Sequence, residues 1–421
     1  MTRKIKQTRR KKDVQFCVPF KSQPPPALSN SSSRILKNAW KEISGFHQSS
    51  DSFQTVNIMK LPETNAYGHI PPQIRSEFEK TKQTGVECHV GLPAGRKAHI
   101  YLLEPETAEA DLSASANAPL VGGSDAQITS RHSSLKSDLG IIIAWLRFVS
   151  NIADPRCAKD LYVYVLATNA KKSIPIGNLE PIDQLHANTA FTTSCSAKNE
   201  IFIFRREEWF KVFLHETFHC MGLDFSADNK ATEISNQCIL STFPTLDPNT
   251  DVRLYETYCE MWAELFGLAF RLFSEGDVMK PFSSKKFREA ILKEQVFSIY
   301  QSNKLLRRAG FEFQDMTVEP RPGKPRYREN TQAFSYYVLK SALLWNVDGF
   351  LRWCHKYLKN PNPLQFNPER IQEYCLLVVK SMKDEKYKKV VRQMLNERDM
   401  CGDSIRKTLR MTLPINESAQ I

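Results

Sequence analysis

The stretch WFKVFLHETFHCMGLDF (209–225) constrains the fold of this chain more than any other. Its apolar residues Trp209, Phe210, Phe213 and Leu214, with Val212 extending the same face, predict an amphipathic helix buried along one side. His215 and His219 lie four residues apart, so on that helix they stand one above the other. Burying two imidazoles and the Glu216 carboxyl costs free energy unless partners come with them. Gly222 is placed to end the helix in a left-handed conformation.

Two histidines at this spacing can hold one zinc ion, with Glu216 turned toward the water that the metal activates, as general base. A third ligand is needed. The pattern H-E-x-x-H-x-x-G-x-x-H would require a histidine where Phe225 stands, so it fails. The alternative source is a glutamate on a second helix. RLYETYCEMWAELFGLAFRLF (253–273) predicts such a helix, with Leu254, Met261, Leu265 and Leu268 on its buried side. Glu256, Glu260 and Glu264 recur every four residues along it. Stacked carboxylates repel one another and are costly to bury unpaired, and a metal with its histidines would relieve both penalties. A solvated acidic stripe remains open as the other interpretation.

The H-E-x-x-H motif followed by EMWAELF (260–266) resembles the gluzincin-type zinc metallopeptidases. That resemblance implies Glu260 as the third zinc ligand and Glu264, one turn on, as support for a histidine. Glu256 as ligand with Glu260 behind it is the competing register. The resemblance covers about residues 135–275 and implies a zincin-like fold. There an edge strand lies over the active-site helix and pairs with extended substrate. ANTAFTTS (187–194) is the expected strand, giving Asn188, Thr189, Ala190 and Phe191 as substrate-binding residues. The chain is also similar to predicted metallopeptidases of large nucleocytoplasmic DNA viruses, through IFRREEWFKVFLHETFHCMGLDFS (203–226) and the basic TRRKK near its start.

Peptide hydrolysis develops an oxyanion, and a tyrosine or histidine commonly helps to stabilise it. Tyr336 and Tyr337, in AFSYYVLKSALLWN (333–346), and His186 are candidates, with core packing as the alternative for each tyrosine. Asp224 is expected to cap the turn after the motif rather than to brace a histidine. Cys220 and Cys259 are expected to pack. No P-loop, Gly-x-Gly-x-x-Gly or Gly-x-Ser-x-Gly is present, which removes support for nucleotide-dependent and serine-hydrolase chemistry.

Around this core the expected class is α+β, a small mixed sheet with the motif helix and the glutamate helix, followed by a mainly helical region. Residues 1–34 are expected to form a basic, Pro/Ser-rich disordered arm, 35–134 an N-terminal region with a flexible insertion at 105–134, 135–284 the zincin-like core and 285–421 a helical subdomain. Strands are expected at 97–104, 160–168, 188–194 and 200–206, and helices at 285–308, 331–346, 347–358, 369–382 and 384–398. Of the net charge of +12, seven cations lie within residues 3–12, leaving about +5 elsewhere. That segment suits nucleic acid or an anionic surface. Ten cysteines without a C-x-x-C pair, and a basic start with no apolar stretch after it, lead to the expectation of a reduced, intracellular protein, cytoplasmic or nuclear, with packaging in a virion left open. The apolar run LGIIIAWL (139–146) is too short for membrane insertion. The expected activity is zinc-dependent hydrolysis of a peptide or protein substrate. A catalytically inactive zincin-fold structural or virion component, and a nucleic-acid-associated factor acting through the arm, are the alternatives.

Overall fold

The computed structural model describes residues 23–47, 54–58, 68–81, 83–105, 124–175, 181–320, 323, 325–358, 362–395 and 403–414. Residues 3–12, most of the expected arm and residues 106–123 of the expected insertion lie outside them.

Strand-like alternation in the sequence becomes a mixed sheet of β1 (Gln54–Ile58), β2 (Gln83–Leu92), β3 (Arg96–Pro105), β4 (Asp160–Leu166), β5 (Ala190–Thr192) and β6 (Lys198–Ile203), ordered β1-β2-β3-β4-β6-β5. The first three strands run antiparallel, β3, β4 and β6 run parallel, and β5 returns antiparallel along the edge. A parallel step from β3 to β4 requires a crossover. Helix α3 (Ser124–Ile152) lies in that connection. Its start corrects the flexible insertion expected through residue 134. The segment is helical because the apolar repeat beginning at Leu135 is continued N-terminally by residues that tolerate a helix.

Alternate strand residues face opposite sides. Val86, Cys88, Ile100, Leu102, Val163, Val165, Ile201 and Ile203 enter the main core with the helices. Leu103, Tyr164, Leu166, Phe202 and Phe204 form a second cluster with Ile74 and Phe78 of α2 (Pro72–Glu79). The sheet is thus covered by helices on one face and partly by α2 on the other.

The N-terminal side holds an element that sequence patterning does not reveal. Helix α1 (Asn30–Phe46) buries Ile35, Leu36, Ala39, Trp40 and Ile43, so residues 30–34 do not belong to a disordered arm. Ser29 caps it, its Oγ accepting from the Ser32 amide. Asp348 then anchors the cap, accepting from the Ser29 amide and the Ser32 hydroxyl at 2.7 Å each.

After the sheet's connections come α4 (Gln184–Ala187), α5 (Trp209–Cys220), α6 (Asn229–Thr242), α7 (Leu254–Phe273) and α8 (Ser284–Arg308). A π-helical segment, Phe334–Leu339, leads into α9 (Lys340–Trp345), followed by α10 (Val347–Tyr357), α11 (Ile371–Met382), α12 (Glu385–Leu395) and α13 (Asp403–Lys407). The expected helices of this region therefore form, within a few residues at each end. One core cluster runs from Ile35 to Met411. Among the described residues, no helix is long and apolar enough to cross a membrane.

Cys157 and Cys195 form a disulfide, Cα–Cα 4.8 Å, which corrects the expectation of a fully reduced chain. The fold brings together two positions 38 residues apart, a proximity that cysteine spacing does not encode.

Candidate metal centre

Helix α5 is clamped at both ends. At its start Glu208 adopts a left-handed backbone conformation, uncommon for a residue with a Cβ. Its buried carboxylate accepts from the Met411 and Thr412 amides and the Thr412 hydroxyl at 2.6–2.9 Å, and pairs with Lys172 Nζ at 2.8 Å. These contacts offset the backbone strain. At its end Gly222 has a positive φ, the Leu223 amide donates to Phe218 O and the Gly222 amide to His219 O, as in a Schellman motif. Along its length the Trp145 indole of α3 donates to Thr217 Oγ1 at 2.8 Å. The sequence predicts burial along one side only, yet all twelve residues of the helix are buried, because the sheet lies on one side and α7 packs on another.

His215 Nε2 lies 3.0 Å from His219 Nε2 and 3.0 Å from Glu256 Oε2, and His219 Nε2 lies 3.3 Å from that same oxygen. On a tetrahedral zinc ion with bonds of about 2.0–2.1 Å, ligand atoms stand about 3.3 Å apart, so this triangle is within a few tenths of an ångström of fitting. The far ring nitrogens also meet carboxylates. Asp224 Oδ2 is 2.5 Å from His219 Nδ1. Glu260 Oε1 is 2.9 Å from His215 Nδ1, close enough to pair but outside hydrogen-bond geometry. An ionised carboxylate only accepts, so Asp224 and Glu260 favour a proton on each Nδ1 when the Nε2 atoms are given to a cation. Both Nε2 lone pairs then face each other and the Glu256 carboxylate. Such a set holds together only around positive charge, which protons on the imidazoles supply in the metal-free chain and a metal ion can replace. The residues fit a zinc ion.

Of the two registers left open, the structure brings Glu256 to complete the triangle, whereas Glu260, expected as the ligand, stands one turn on, behind His215. Glu260 in turn is paired with Lys211, one turn N-terminal of His215. Glu264 reaches neither histidine; its Oε2 accepts from Lys340 Nζ at 3.0 Å, and Lys340 also donates to Met411 O. Both corrections have one cause. Side chains on α7 that share a face with four-residue spacing meet different levels of α5, and only the N-terminal level reaches the histidines' Nε2 atoms.

Electrostatics follow from burial and pairing. Burial works to raise the Glu256 carboxyl, but His219 and His215 outweigh it and hold it far below the usual carboxylate range. Burial likewise opposes charge on His219, yet Cys259, Asp224 and Glu256 leave it well above the usual imidazole value. Glu216 makes no such pair among the described residues, and burial raises its carboxyl despite the nearby imidazoles. A carboxyl raised in this way is suited to taking a proton and returning it.

Of the two tyrosines anticipated, the structure brings one to the histidines. The Tyr336 ring stands edge-on to His215, centroids 6.0 Å apart, and burial keeps its phenol protonated as a donor. Tyr337 is corrected. Adjacent residues of a helix point in different directions. The Tyr337 hydroxyl is committed to Leu409 O at 2.5 Å. His186 is occupied in capping α4 through Asp183. Asp224, expected only to cap a turn, does both jobs, since its Oδ1 accepts from the Ser226 amide and hydroxyl while Oδ2 braces His219. Cys259 donates to Asp224 at 3.4 Å and lies 3.7 Å from His219 Nδ1.

The four expected substrate residues divide by strand geometry. Ala190 is in the main core on the α5 side, whereas Phe191 points to the opposite face and stacks on His69 at 4.0 Å. Asn188 is held through its side-chain oxygen by Thr331, and Thr189 O accepts from the Phe204 amide. Strand β5 is terminal in the sheet and packs against α5. Sequence reasoning misses Tyr255, whose ring stands perpendicular to His219 at 5.8 Å.

Compared with known proteins, the chain matches no family model, no curated protein and no solved structure.

Proposed function

We propose that this chain is a zinc-dependent peptidase of zincin type, acting on peptide or protein substrates. The observation carrying this reading is the convergence of His215 Nε2, His219 Nε2 and Glu256 Oε2, next to a Glu216 that has no ion pair of its own among the described residues. A zinc ion held there would supply Lewis acidity toward a water molecule and the substrate carbonyl. Glu216 takes the proton of the attacking water and delivers it to the leaving amine. Tyr336 donates toward the developing oxyanion, and Tyr255 walls the opposite side. The outer edge of β5 offers its backbone to an extended peptide, with Ala190 on the side that faces the helix. Asp224 and Glu260 hold the imidazoles in one tautomer and orientation.

The test is cleavage of a mixed peptide library by the full chain, with the Glu216→Gln variant alongside. General-base loss lowers turnover by about 10²–10⁴-fold while zinc content stays near one per chain. Equal, zinc-independent cleavage by both forms would reject the proposal. A second reading rests on burial: Glu216 and Tyr336 are each only 9% exposed. That degree of closure also suits a zinc that stabilises the fold without catalysis. In that case no peptide is cleaved, and chelation lowers the unfolding midpoint while leaving nothing to inhibit.

A further inference from the structure

On the sheet face away from α5, His89 of β2 and His99 of β3 lie directly opposite one another in the antiparallel register. Their Nδ1 atoms are 2.6 Å apart. Each ring's other nitrogen meets a carboxylate: His89 Nε2 is 2.8 Å from Glu87 Oε1, and His99 Nε2 is 3.0 Å from Asp160 Oδ1. The His99 ring is further fixed by stacking on Tyr162, centroids 4.5 Å apart and planes within 12°.

A carboxylate accepts only, so the hydrogen bond to Asp160 places a proton on His99 Nε2, and the ion-pair contact with Glu87 favours one on His89 Nε2. Two Nδ1 lone pairs are then aimed at each other across 2.6 Å. Such a pair is stable only with a cation between the rings, either one shared proton or a metal ion. Carboxylate support behind each imidazole is the arrangement that orients metal-ligating histidines.

Geometry selects among metals. Two nitrogens bound side by side to a square-planar ion at about 2.0 Å stand about 2.8 Å apart, against about 3.3 Å on a tetrahedral ion. The first requires an opening of roughly 0.2 Å, the second roughly 0.7 Å. His89 can supply the smaller movement, since its side chain is 55% exposed. We propose that His89 and His99 form a second transition-metal site, selective for a divalent ion of square-planar preference, copper(II) above all, with water in the remaining positions. This site shares no residue with the α5–α7 centre and does not depend on the peptidase reading.

Copper(II) titration of the full chain, followed by equilibrium dialysis and electron paramagnetic resonance, tests it. His99→Gln is expected to bind one copper fewer per chain than wild type, and the missing signal to carry the splitting of two equatorial nitrogens. Asp160→Asn is expected to keep the stoichiometry and weaken binding about 10–100-fold. His89→Gln, at the more exposed position, repeats the loss where no folding defect can explain it. Equal copper content and affinity in wild type, His89→Gln and His99→Gln would overturn the proposal and leave a shared proton as the occupant.

Discussion

Glu256→Gln and Glu260→Gln separate metal ligation from the support behind it. Structural zinc sites are worth roughly 10–16 kcal/mol over four ligands, or about 2.5–4 kcal/mol for each. Glu256 Oε2 lies 3.0 and 3.3 Å from the two Nε2 atoms. Removing its charge is therefore expected to weaken zinc binding about 10²–10³-fold. Glu260 meets only the far nitrogen of His215. Loss of such support costs about 10–100-fold. Stability is expected to rank the other way. Glu260→Gln leaves Lys211 buried without its counter-charge. That costs about 3–5 kcal/mol. In the zinc-free chain Glu256→Gln removes a carboxylate that pairs with imidazoles, but these can shed their protons and accept from the new amide, so the loss is smaller than at Lys211. Chelator competition gives the zinc affinities, and urea unfolding of the zinc-free forms gives the stabilities. A folded Glu260→Gln that loses more zinc than Glu256→Gln would refute the assignment and return the ligand to the later turn.

Tyr336→Phe is expected to lower peptide turnover about 10²–10³-fold with zinc content unchanged; full activity would remove its phenol from oxyanion stabilisation. Burial, reinforced by Glu104 and opposed by Arg206, pushes the Asp138 carboxyl up to about 8. The native chain thus keeps a proton that the unfolded chain sheds above about pH 4, so this group's contribution is complete below that pH and falls by about 1.4 kcal/mol per unit toward pH 8. Asp138→Asn should flatten that slope and exceed wild type in urea midpoint at pH 8; an unchanged slope refutes the buried neutral acid. Gly222→Ala places a Cβ 2.7 Å from Cys157 Sγ, at a backbone position of positive φ. It is expected to destabilise by about 1–3 kcal/mol. An unfolding free energy equal to that of wild type would show that the loop gives way freely.

Strand and helix positions are legible where hydrophobic periodicity is strong, as in DLYVYVL for β4 and the residues of α8. Helix α1 is not, because its opening NSSSR (30–34) reads as a linker and its apolar positions are only half of the seam. Asp348, more than three hundred residues away, fixes its cap. Strand β2 is hidden for a related reason: QTGVECHVGL carries two glycines, and Gly85 is required because Leu102 O approaches where a Cβ would stand, at 1.8 Å. Long-range closeness of this kind leaves a small residue in the sequence but does not say what occupies the space.

The same limit explains the ligand register. From sequence, Glu256, Glu260 and Glu264 are equivalent by spacing, and only the resemblance carried by EMWAELF ranks them. What distinguishes them is the set of cations each meets. Lys211 lies on α5 itself, one turn before His215, and Lys340 lies on α9; each claims a carboxylate, Lys211 taking Glu260 and Lys340 taking Glu264. Among the described residues, Glu256 is ion-paired with histidines alone. A buried acid already neutralised by lysine has little charge left to offer a metal, whereas one paired with imidazoles can exchange their protons for a metal ion. Pairing, not spacing, therefore decides which turn of the glutamate helix binds. Part of that is written in the chain: a lysine four residues before the first histidine, in an otherwise apolar helix start, announces a buried acid one layer behind the ligands.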